Sequence, residues 1–213
     1  MMRLLDALPE HEHDDASRVL GACPVVALPQ GAQRAGARLP AAALLVVEEG
    51  LAAVSRRRND SARRMVVTLA GPGAILPPLG EDERLDALED SWLTAITPAA
   101  LAALLLDPAV AETLVVGLTK ELRASRESLG QIASVKHVER VRDKLLQLAR
   151  AHGRVVPGGV RLDLPLTHEL IGEMIGSSRE TVTWAFAQLA REGFVRREGR
   201  AYRLRISPEE LAS

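Results

Sequence analysis

Residues 176–199, GSSRETVTWAFAQLAREGFVRREG, join a turn, a helix and an arginine-rich segment without a break. Ser177 and Glu180 have the S-x-x-E spacing of a capping box, which predicts that a helix begins here. The apolar positions that follow recur at intervals of three and four: Val182, Ala185, Phe186 and Leu189. This period is that of one buried helix face, and Gly193 predicts where the helix ends.

The flanking segments predict a second helix and two hairpins. Thr167 is a suitable N-cap for a helix through Met174, and Gly176 then ends that helix. Residues 155–164 predict short strands around a Pro-Gly-Gly turn, and residues 194–206 alternate about a Glu-Gly pair as a β-hairpin does. Helix, glycine turn, helix and basic hairpin together predict a winged helix-turn-helix.

The first turn of the second helix carries side chains that suit the edges of DNA bases. A helix of this kind enters the major groove with its N-terminal end. There Arg179 could donate two hydrogen bonds to guanine, and Glu180 could accept one from cytosine. Five arginines on or beside the hairpin could neutralise phosphates: Arg196, Arg197, Arg200, Arg203 and Arg205. The alternative is a solvated hairpin and a simple capping pair, but the combined pattern favours double-stranded DNA as the partner.

Residues 135–206 resemble the DNA-binding domain of the cyclic-AMP receptor/Fnr (Crp/Fnr) family of bacterial transcription regulators. The stretch LTHELIGEMIGSSRETVTWAFAQLAREGFV carries most of the resemblance, and LLVVEEGLAAV and LAGPGAIL extend it more weakly to the front of the chain. The resemblance implies an α+β protein. Its parts would be a cyclic-nucleotide-binding-like jelly-roll β-barrel at 1–108, a dimerisation helix at 109–135 and a winged helix-turn-helix at 136–213. It also implies a homodimer that reads an inverted repeat, with RNA polymerase as a further partner.

The same resemblance assigns the DNA-binding positions. Ser178, Arg179 and Glu180 match the base-reading positions, and Thr167 and Glu169 lie where the first helix meets the DNA backbone. We add further positions of the reading helix and hairpin as DNA-binding: Thr183, Trp184, Arg196, Arg197 and Arg200. Trp184 replaces an arginine that is common in the family. It could touch a thymine methyl or a sugar, or it could pack against the neighbours of its own helix, and the sequence leaves both open.

The front of the chain predicts β structure followed by helices. Residues 21–98 contain short apolar runs separated by glycine, proline or polar clusters, which is typical of a sandwich or barrel. Residues 55–64, SRRRNDSARR, predict a hairpin tip whose five arginines are either solvated or bound to an anion. A short helix is expected up to Asp107-Pro108, and a long one after it. A helix with Val138, Val141, Leu145 and Leu148 on one face then ends near His152-Gly153.

The long helix carries one apolar stripe, made of Val110, Leu114, Leu118, Leu122, Ser125, Leu129 and Ile132. A narrow stripe on a long helix favours a partner helix, which a symmetric homodimer supplies. The alternative is a helix that lies on its own β-domain.

The resemblance also allows a test for a cyclic-nucleotide site. Binders in the family carry Gly-Glu on a short helix and an arginine about ten positions later. Here Gly80-Glu81 is present, but Arg84 comes too early and five carboxylates surround it, so we expect no cyclic nucleotide. The alternative reading of Gly80-Glu81 is a loop that leads into a helical turn. The sequence leaves open whether a small-molecule effector exists and which one it is.

Composition limits cofactors, location and competing functions. The single cysteine, Cys23, excludes an iron–sulfur cluster within one chain, and we predict no cofactor and no metal. HEHDD at 11–15 is more typical of a solvated N-terminus than of a metal site.

The charge of the chain is unevenly distributed: the formal net charge is −5 over residues 1–135 and +4 over 136–213, which again favours binding of a polyanion by the C-terminal part. No signal peptide is visible and the longest apolar run, 39–47, is too short to span a bilayer, so we expect a cytoplasmic protein that binds no membrane.

Two other functions are compatible with parts of the sequence. A cupin-type enzyme needs clustered histidine and carboxylate ligands on its strands, and residues 21–98 contain no histidine, so we predict that the protein is not an enzyme. The other is a ligand-sensing signalling protein whose helix-turn-helix contacts protein. Arg179, Glu180 and the basic hairpin argue against it.

Overall fold

The computed structural model describes residues 13–57, 64–132 and 136–207, with backbone alone at 13, 14, 124, 125 and 127–132. The chain divides into two compact units, Met1–Arg126 and Glu127–Ser213, and each is described separately. Its antiparallel sheets and its helices together form a mixed α+β fold.

The first unit contains two four-stranded antiparallel sheets that form the jelly-roll domain. The strand orders are β1-β8-β3-β6 and β2-β7-β4-β5. The strands are β1 Val25–Leu28, β2 Gln33–Ala35, β3 Leu44–Glu49, β4 Ala52–Arg57, β5 Arg64–Ala70, β6 Ile75–Leu76, β7 Glu83–Ala87 and β8 Ser91–Ile96. β4 and β5 pair out to Arg57 and Arg64, so the predicted hairpin is confirmed, and its tip at 58–63 lies outside the described residues.

The core of this unit lies between the two sheets. Alternate residues of β3, Leu45 and Val47, pack there with Val54 and Leu85 of the opposite sheet. The side chains on the other face of β3, Leu44 and Val46, pack against helices instead. A strand that is buried on both faces reads as a continuous apolar run, which is why LLVV showed no alternation in the sequence.

Three helices cover this second face: α1 His13–Gly21, α2 Pro98–Leu104 and α3 Pro108–Ile132. The first was not predicted: Asp15 of the HEHDD run is exposed, as expected, but Ala16 and Leu20, which follow the run, are buried. His11 and Glu12 of the HEHDD run lie outside the described residues. Within the described residues no group of histidine, cysteine and carboxylate side chains could hold a metal ion.

α3 packs on its own β-domain and also exposes apolar side chains. Val110 and Leu114 are buried in the core beneath the first sheet. Close approach continues at Gly117, where an added Cβ would lie 2.5 Å from Cδ1 of Ile75. The prediction that the whole stripe faces a partner helix is therefore wrong, because its first part packs on the β-domain of the same chain. Leu122 is exposed, as are Val115 and Val116, which lie off the stripe.

Two segments between the predicted strands also differ from expectation. β2 and β7 were missed because they carry Arg34, Arg84 and Asp86, which suit a loop as well as a strand. The helical turn expected after Gly80-Glu81 is wrong, since a short loop leads directly into β7.

No single helix in the described residues is long and apolar enough to cross a membrane. One pair, Pro98–Leu104 with Pro108–Arg123, passes by length and composition together but is bent by 119°. Its apolar residues Leu104, Val110 and Leu114 are buried against the first sheet.

The second unit has the order helix, hairpin, two helices, hairpin. Its elements are α4 His137–His152, β9 Arg154–Val156, β10 Gly159–Leu162, α5 His168–Ile175, α6 Arg179–Arg191, β11 Val195–Glu198 and β12 Ala201–Leu204. The four strands form one antiparallel sheet in the order β11-β12-β10-β9. Apolar faces of all three helices are buried, including Leu145, Ile171 and Leu189. The predicted helix-turn-helix and both hairpins are confirmed.

Local hydrogen bonds fix the turn between α5 and α6. Thr167 caps α5 by accepting the N–H of Leu170 at 3.0 Å. Gly176 ends that helix in the left-handed region, at φ 65°, which glycine adopts at little cost. The capping-box assignment is wrong by one residue: the N-cap of α6 is Ser178, whose hydroxyl accepts the N–H of Thr181 at 3.2 Å.

Candidate nucleic-acid interface

The N-terminal turn of α6 presents a polar surface above a buried face. Val182, Ala185, Phe186 and Leu189 are buried, as predicted. Arg179, Glu180, Thr183 and Trp184 are exposed on the same helix. Because the first backbone N–H groups of a helix have no partner within it, this end of α6 also favours an anion.

The hairpin β11–β12 forms the wing. Glu198 pairs with Ala201, so Gly199 and Arg200 form a two-residue turn, with Gly199 at φ 64°. This turn is one residue later than the Glu-Gly pair about which the sequence alternates. Arg196, Arg197 and Arg200 are exposed along and at the end of the wing.

The arginines of this unit fall into two groups. Arg203 pairs with Glu198 at 3.0 Å, and Arg154 and Arg161 pair with Asp163 at 3.3 and 2.7 Å. By contrast, the side chains of Arg179, Arg196 and Arg200 form no hydrogen bond or ion pair with any described residue. The second group includes positions predicted for DNA, while Arg203 is engaged within the wing.

The start of the first helix adds further polar groups near the reading helix. Thr167 and Glu169 are exposed at the N-terminal end of α5. Between them, the His168 ring reaches α6 and lies 2.9 Å from the hydroxyl of Thr183. Burial, followed by the charges of Arg197 and Arg179, lowers the pKa of His168. Sequence analysis missed this residue because a lone histidine at a helix start carries no signal of its own.

Trp184 borders an open cleft beside the start of α4. The side chain is 58% exposed. The cleft has a volume of about 650 Å³, and its lining includes Lys136, His137, Val138 and Gln188. Neighbours of the reading helix therefore lie beside the indole, as one of the two alternatives for Trp184 predicted. More than half of the Trp184 side chain nevertheless remains exposed.

α4 holds the turn that precedes the reading helix. Arg140 donates to the carbonyl of Ile175 at 3.2 Å and lies against His137. His137 in turn lies 3.3 Å from the hydroxyl of Ser177. These contacts fix the last turn of α5 and the residue before the N-cap, so the direction of α6 is set by α4 as well as by its own caps.

This geometry defines a class of protein: a winged helix-turn-helix, the architecture of a DNA-binding domain, within a chain that also contains a jelly-roll domain. Residues 139–213 match the model of the Crp-like helix-turn-helix domain. The CRP-like cAMP-activated global transcriptional regulator of Mycobacterium tuberculosis is 29% identical over 169 residues, which cover 76% of this chain and 75% of that protein.

Solved structures agree on the fold. A CooA mutant from Carboxydothermus hydrogenoformans superposes with a TM-score of 0.79 at 20% identity, covering 99% of this chain and 93% of that chain. FixK2 from Bradyrhizobium japonicum gives 0.72 at 24% identity, covering 90% and 96%. Residues 139–213 thus match a Crp-like helix-turn-helix DNA-binding domain, and the chain is similar over most of its length to a Crp-like transcription regulator.

Proposed function

We propose that the protein is a homodimeric regulator that reads an inverted-repeat operator through the helix starting at Ser178. The observation that carries this proposal is the position of Arg179 and Glu180, exposed on the first turn of a helix whose buried face and caps fix its direction. The side chain of Arg179 has no partner among the described residues, and a guanidinium donates well to a guanine edge.

The predicted DNA-binding residues divide into two roles. Arg179 and Glu180 read bases, and Ser178 and Thr183 lie beside them on the same end of α6. Groups of the second kind lie along the DNA backbone: Arg196, Arg197 and Arg200 neutralise phosphates, Thr167 and Glu169 lie where the first helix meets the backbone, and Trp184 touches a sugar or a thymine methyl. Contacts of the second kind add affinity at every sequence, whereas contacts of the first kind separate one sequence from another.

The exposed side of α3 supports the homodimer. Val115, Val116 and Leu122 are 62%, 61% and 52% exposed. Apolar side chains on a helix that already buries its other face suit a second copy of the same helix. Sedimentation measures this: Leu122→Glu is expected to shift the protein from dimer to monomer, whereas Val25→Glu, also at an exposed apolar site, leaves the dimer intact. A wild-type monomer at micromolar concentration would refute the dimer.

The contacts around residues 80–86 of the first unit argue against a cyclic nucleotide as effector. The N–H of Gly80 donates to the carboxylate of Glu83 at 2.9 Å, and Arg56 pairs with Asp82 and Glu83 at 2.9 and 3.2 Å. Arg84 pairs with Asp86 at 2.7 Å. The groups that would hold a phosphate are therefore engaged with carboxylates of the same unit, and an incoming phosphate would meet their negative charge.

Titration calorimetry tests this part of the proposal. Cyclic AMP and cyclic GMP, each added to the purified protein, are expected to give no saturable heat. A dissociation constant below about 10 µM for either nucleotide would overturn it. The relative from Mycobacterium tuberculosis is described as cAMP-activated, so that protein serves as the positive control.

The proposed function also implies a further partner and a location. A regulator bound beside a promoter works through RNA polymerase, so we take the polymerase as a partner and the cytoplasm as the location. The protein is a regulator and not an enzyme.

Selection of random duplex DNA by the purified protein, at one fixed and moderate salt concentration, tests the function. We expect enrichment of an inverted repeat whose half-sites lie about one helical turn apart. Salt-sensitive binding without enrichment would indicate a missing effector. No binding even at low salt would contradict the DNA-binding role and favour a helix-turn-helix that contacts protein.

A further inference from the structure

The imidazole ring of His168 connects the two helices of the helix-turn-helix at the surface proposed to meet DNA. Its Nδ1 lies 2.9 Å from Oγ1 of Thr183. The ring also stacks on Phe186, with centroids 4.7 Å apart. His168 is the first residue of α5, and both of its partners belong to α6. The ring is only partly buried, so it meets α6 on one side and solvent on another.

The hydrogen bonds around Thr183 fix where the ring carries its proton. The Thr183 hydroxyl donates to the backbone carbonyl of Arg179 at 2.8 Å. A carbonyl only accepts, and a hydroxyl has one proton, so Thr183 must accept from His168. The neutral ring therefore carries its hydrogen on Nδ1, and a second proton would add at Nε2. The chain His168–Thr183–Arg179 runs back to the first residue of the reading helix.

Two cations face the ring. Arg179 comes from α6 and Arg197 from β11, and the other groups packed against it, Thr183 and Phe186, are uncharged. Burial and these two arginines disfavour a third positive charge in the free protein. A bound duplex brings negatively charged phosphates close to this cluster, so the cost of charging the ring falls.

We propose that His168 is a further determinant of DNA binding, which positions the first turn of the reading helix through Thr183 and takes up one proton when a duplex binds. This inference rests on the proposed DNA-binding function. The proton comes from solvent and adds to the Nε2 lone pair, while the Nδ1–H bond to Thr183 is kept. Affinity for DNA therefore rises as the pH falls through the imidazole range.

The direction follows from the two states of the ring. The free protein has the lower pKa and the complex the higher one, so the complex binds more protons between them. From about pH 8 to about pH 6, at constant salt, the dissociation constant for the selected duplex is expected to fall about three- to tenfold. Fluorescence anisotropy on the full-length protein measures it.

Three substitutions of histidine by asparagine separate this ring from the other described histidines of the unit. His168→Asn keeps an N–H donor near the Nδ1 position but cannot titrate. We expect it to bind like the wild type at about pH 8 and to lose the pH dependence. His137→Asn and His152→Asn are expected to keep the wild-type pH dependence. His168→Leu, which has no donor, is expected to bind more weakly at every pH.

Two results would overturn the inference while DNA binding itself stands. One is a wild-type affinity that does not change with pH, and the other is a pH dependence that persists in His168→Asn. Nitrogen NMR of the ring in the DNA-free protein gives an independent readout, for which we expect hydrogen on Nδ1. Hydrogen on Nε2 would refute the positioning role. Absence of duplex binding at every pH would instead refute the proposed function, and the proton coupling with it.

Discussion

The arginines around residues 80–86 of the first unit and those of the reading helix and wing of the second differ in the groups that hold them. In the first unit Arg56, Arg64 and Arg84 all bond to groups of the same unit, among them Asp82 and Asp86. In the second unit Arg179, Arg196 and Arg200 have no such partner among the described residues. The first set of cations is held by groups of its own unit, and the second set has its charge available for a ligand.

This difference separates structural arginines from binding arginines by geometry. A cation with an internal carboxylate stabilises its own unit, and removing one partner leaves the other half-buried and unpaired. An exposed cation without a partner contributes little to folding stability, so its removal lowers the affinity for the ligand and leaves the stability nearly unchanged. The two sets should therefore respond in opposite ways to substitution.

Substitution of Arg179 should give the largest effect on binding. Arg179→Ala is expected to weaken binding to the selected operator about 10- to 100-fold, because a bidentate contact to a base discriminates by about 1–3 kcal/mol. Binding to random duplex should change far less, so sequence preference relaxes. Anisotropy titrations on both duplexes measure the ratio. An equal loss on both would mean that Arg179 does not read bases.

Substitution of Asp86 should act on stability instead. Asp86 accepts from the buried hydroxyl of Ser55 at 2.6 Å and pairs with Arg84 at 2.7 Å. Asp86→Ala leaves both without this partner and should lower the melting temperature by about 3–8 °C. Glu89→Gln, at an exposed carboxylate of the same unit, is the control and should melt like the wild type. An unchanged melting temperature of Asp86→Ala would show that this carboxylate and its partners do not stabilise the first unit.

Lys144 differs from both groups of arginines because this cation of the second unit is buried. It is 6% exposed, and burial lowers its pKa to about 8. The unfolded chain therefore binds more protons between pH 8 and the usual lysine pKa, so this group makes stability rise with pH over that window.

Lys144→Met should therefore stabilise the protein near pH 7 by about 1–3 kcal/mol, with the gain shrinking as the pH approaches about 10. Urea unfolding at several pH values measures it. A gain that is independent of pH would show that the methionine acts by packing alone.

The wing should give the smallest effect. Arg200→Ala is expected to weaken binding about two- to fivefold on every duplex and to reduce the slope of log affinity against log salt by about one. Arg161→Ala, whose cation is paired with Asp163, serves as the matched control and should leave that slope unchanged. A change of sequence preference in Arg200→Ala would assign it a base contact.

The second unit could be predicted well from sequence because its signals are local. Thr167, Gly176 and Gly193 act within a few residues, and the wing alternates over one hairpin. The N-cap was misplaced by one residue because Ser177 and Ser178 are both suitable caps. The contact between His168 and Thr183 joins residues fifteen positions apart on two helices, and no local pattern signals it.

The first unit was predicted less completely because its signals are long-range. β2 and β7 pair through residues about fifty positions apart, and their charged residues are as typical of loops as of strands. α1 is short and polar, and only its packing on the sheet defines it. α3 is apolar on two sides, so spacing alone could not separate the side that packs within the chain from the exposed side with Val116 and Leu122.

The salt dependence of duplex binding shows whether the arginines of the wing contact DNA phosphates. Log affinity for the selected duplex should fall linearly with log salt, and the triple substitution of Arg196, Arg197 and Arg200 by alanine should reduce the slope by about three. Melting temperature should stay unchanged in the same variant. A slope that is unaffected by the triple substitution, or a variant that melts well below the wild type, would contradict a role of these exposed arginines in binding DNA.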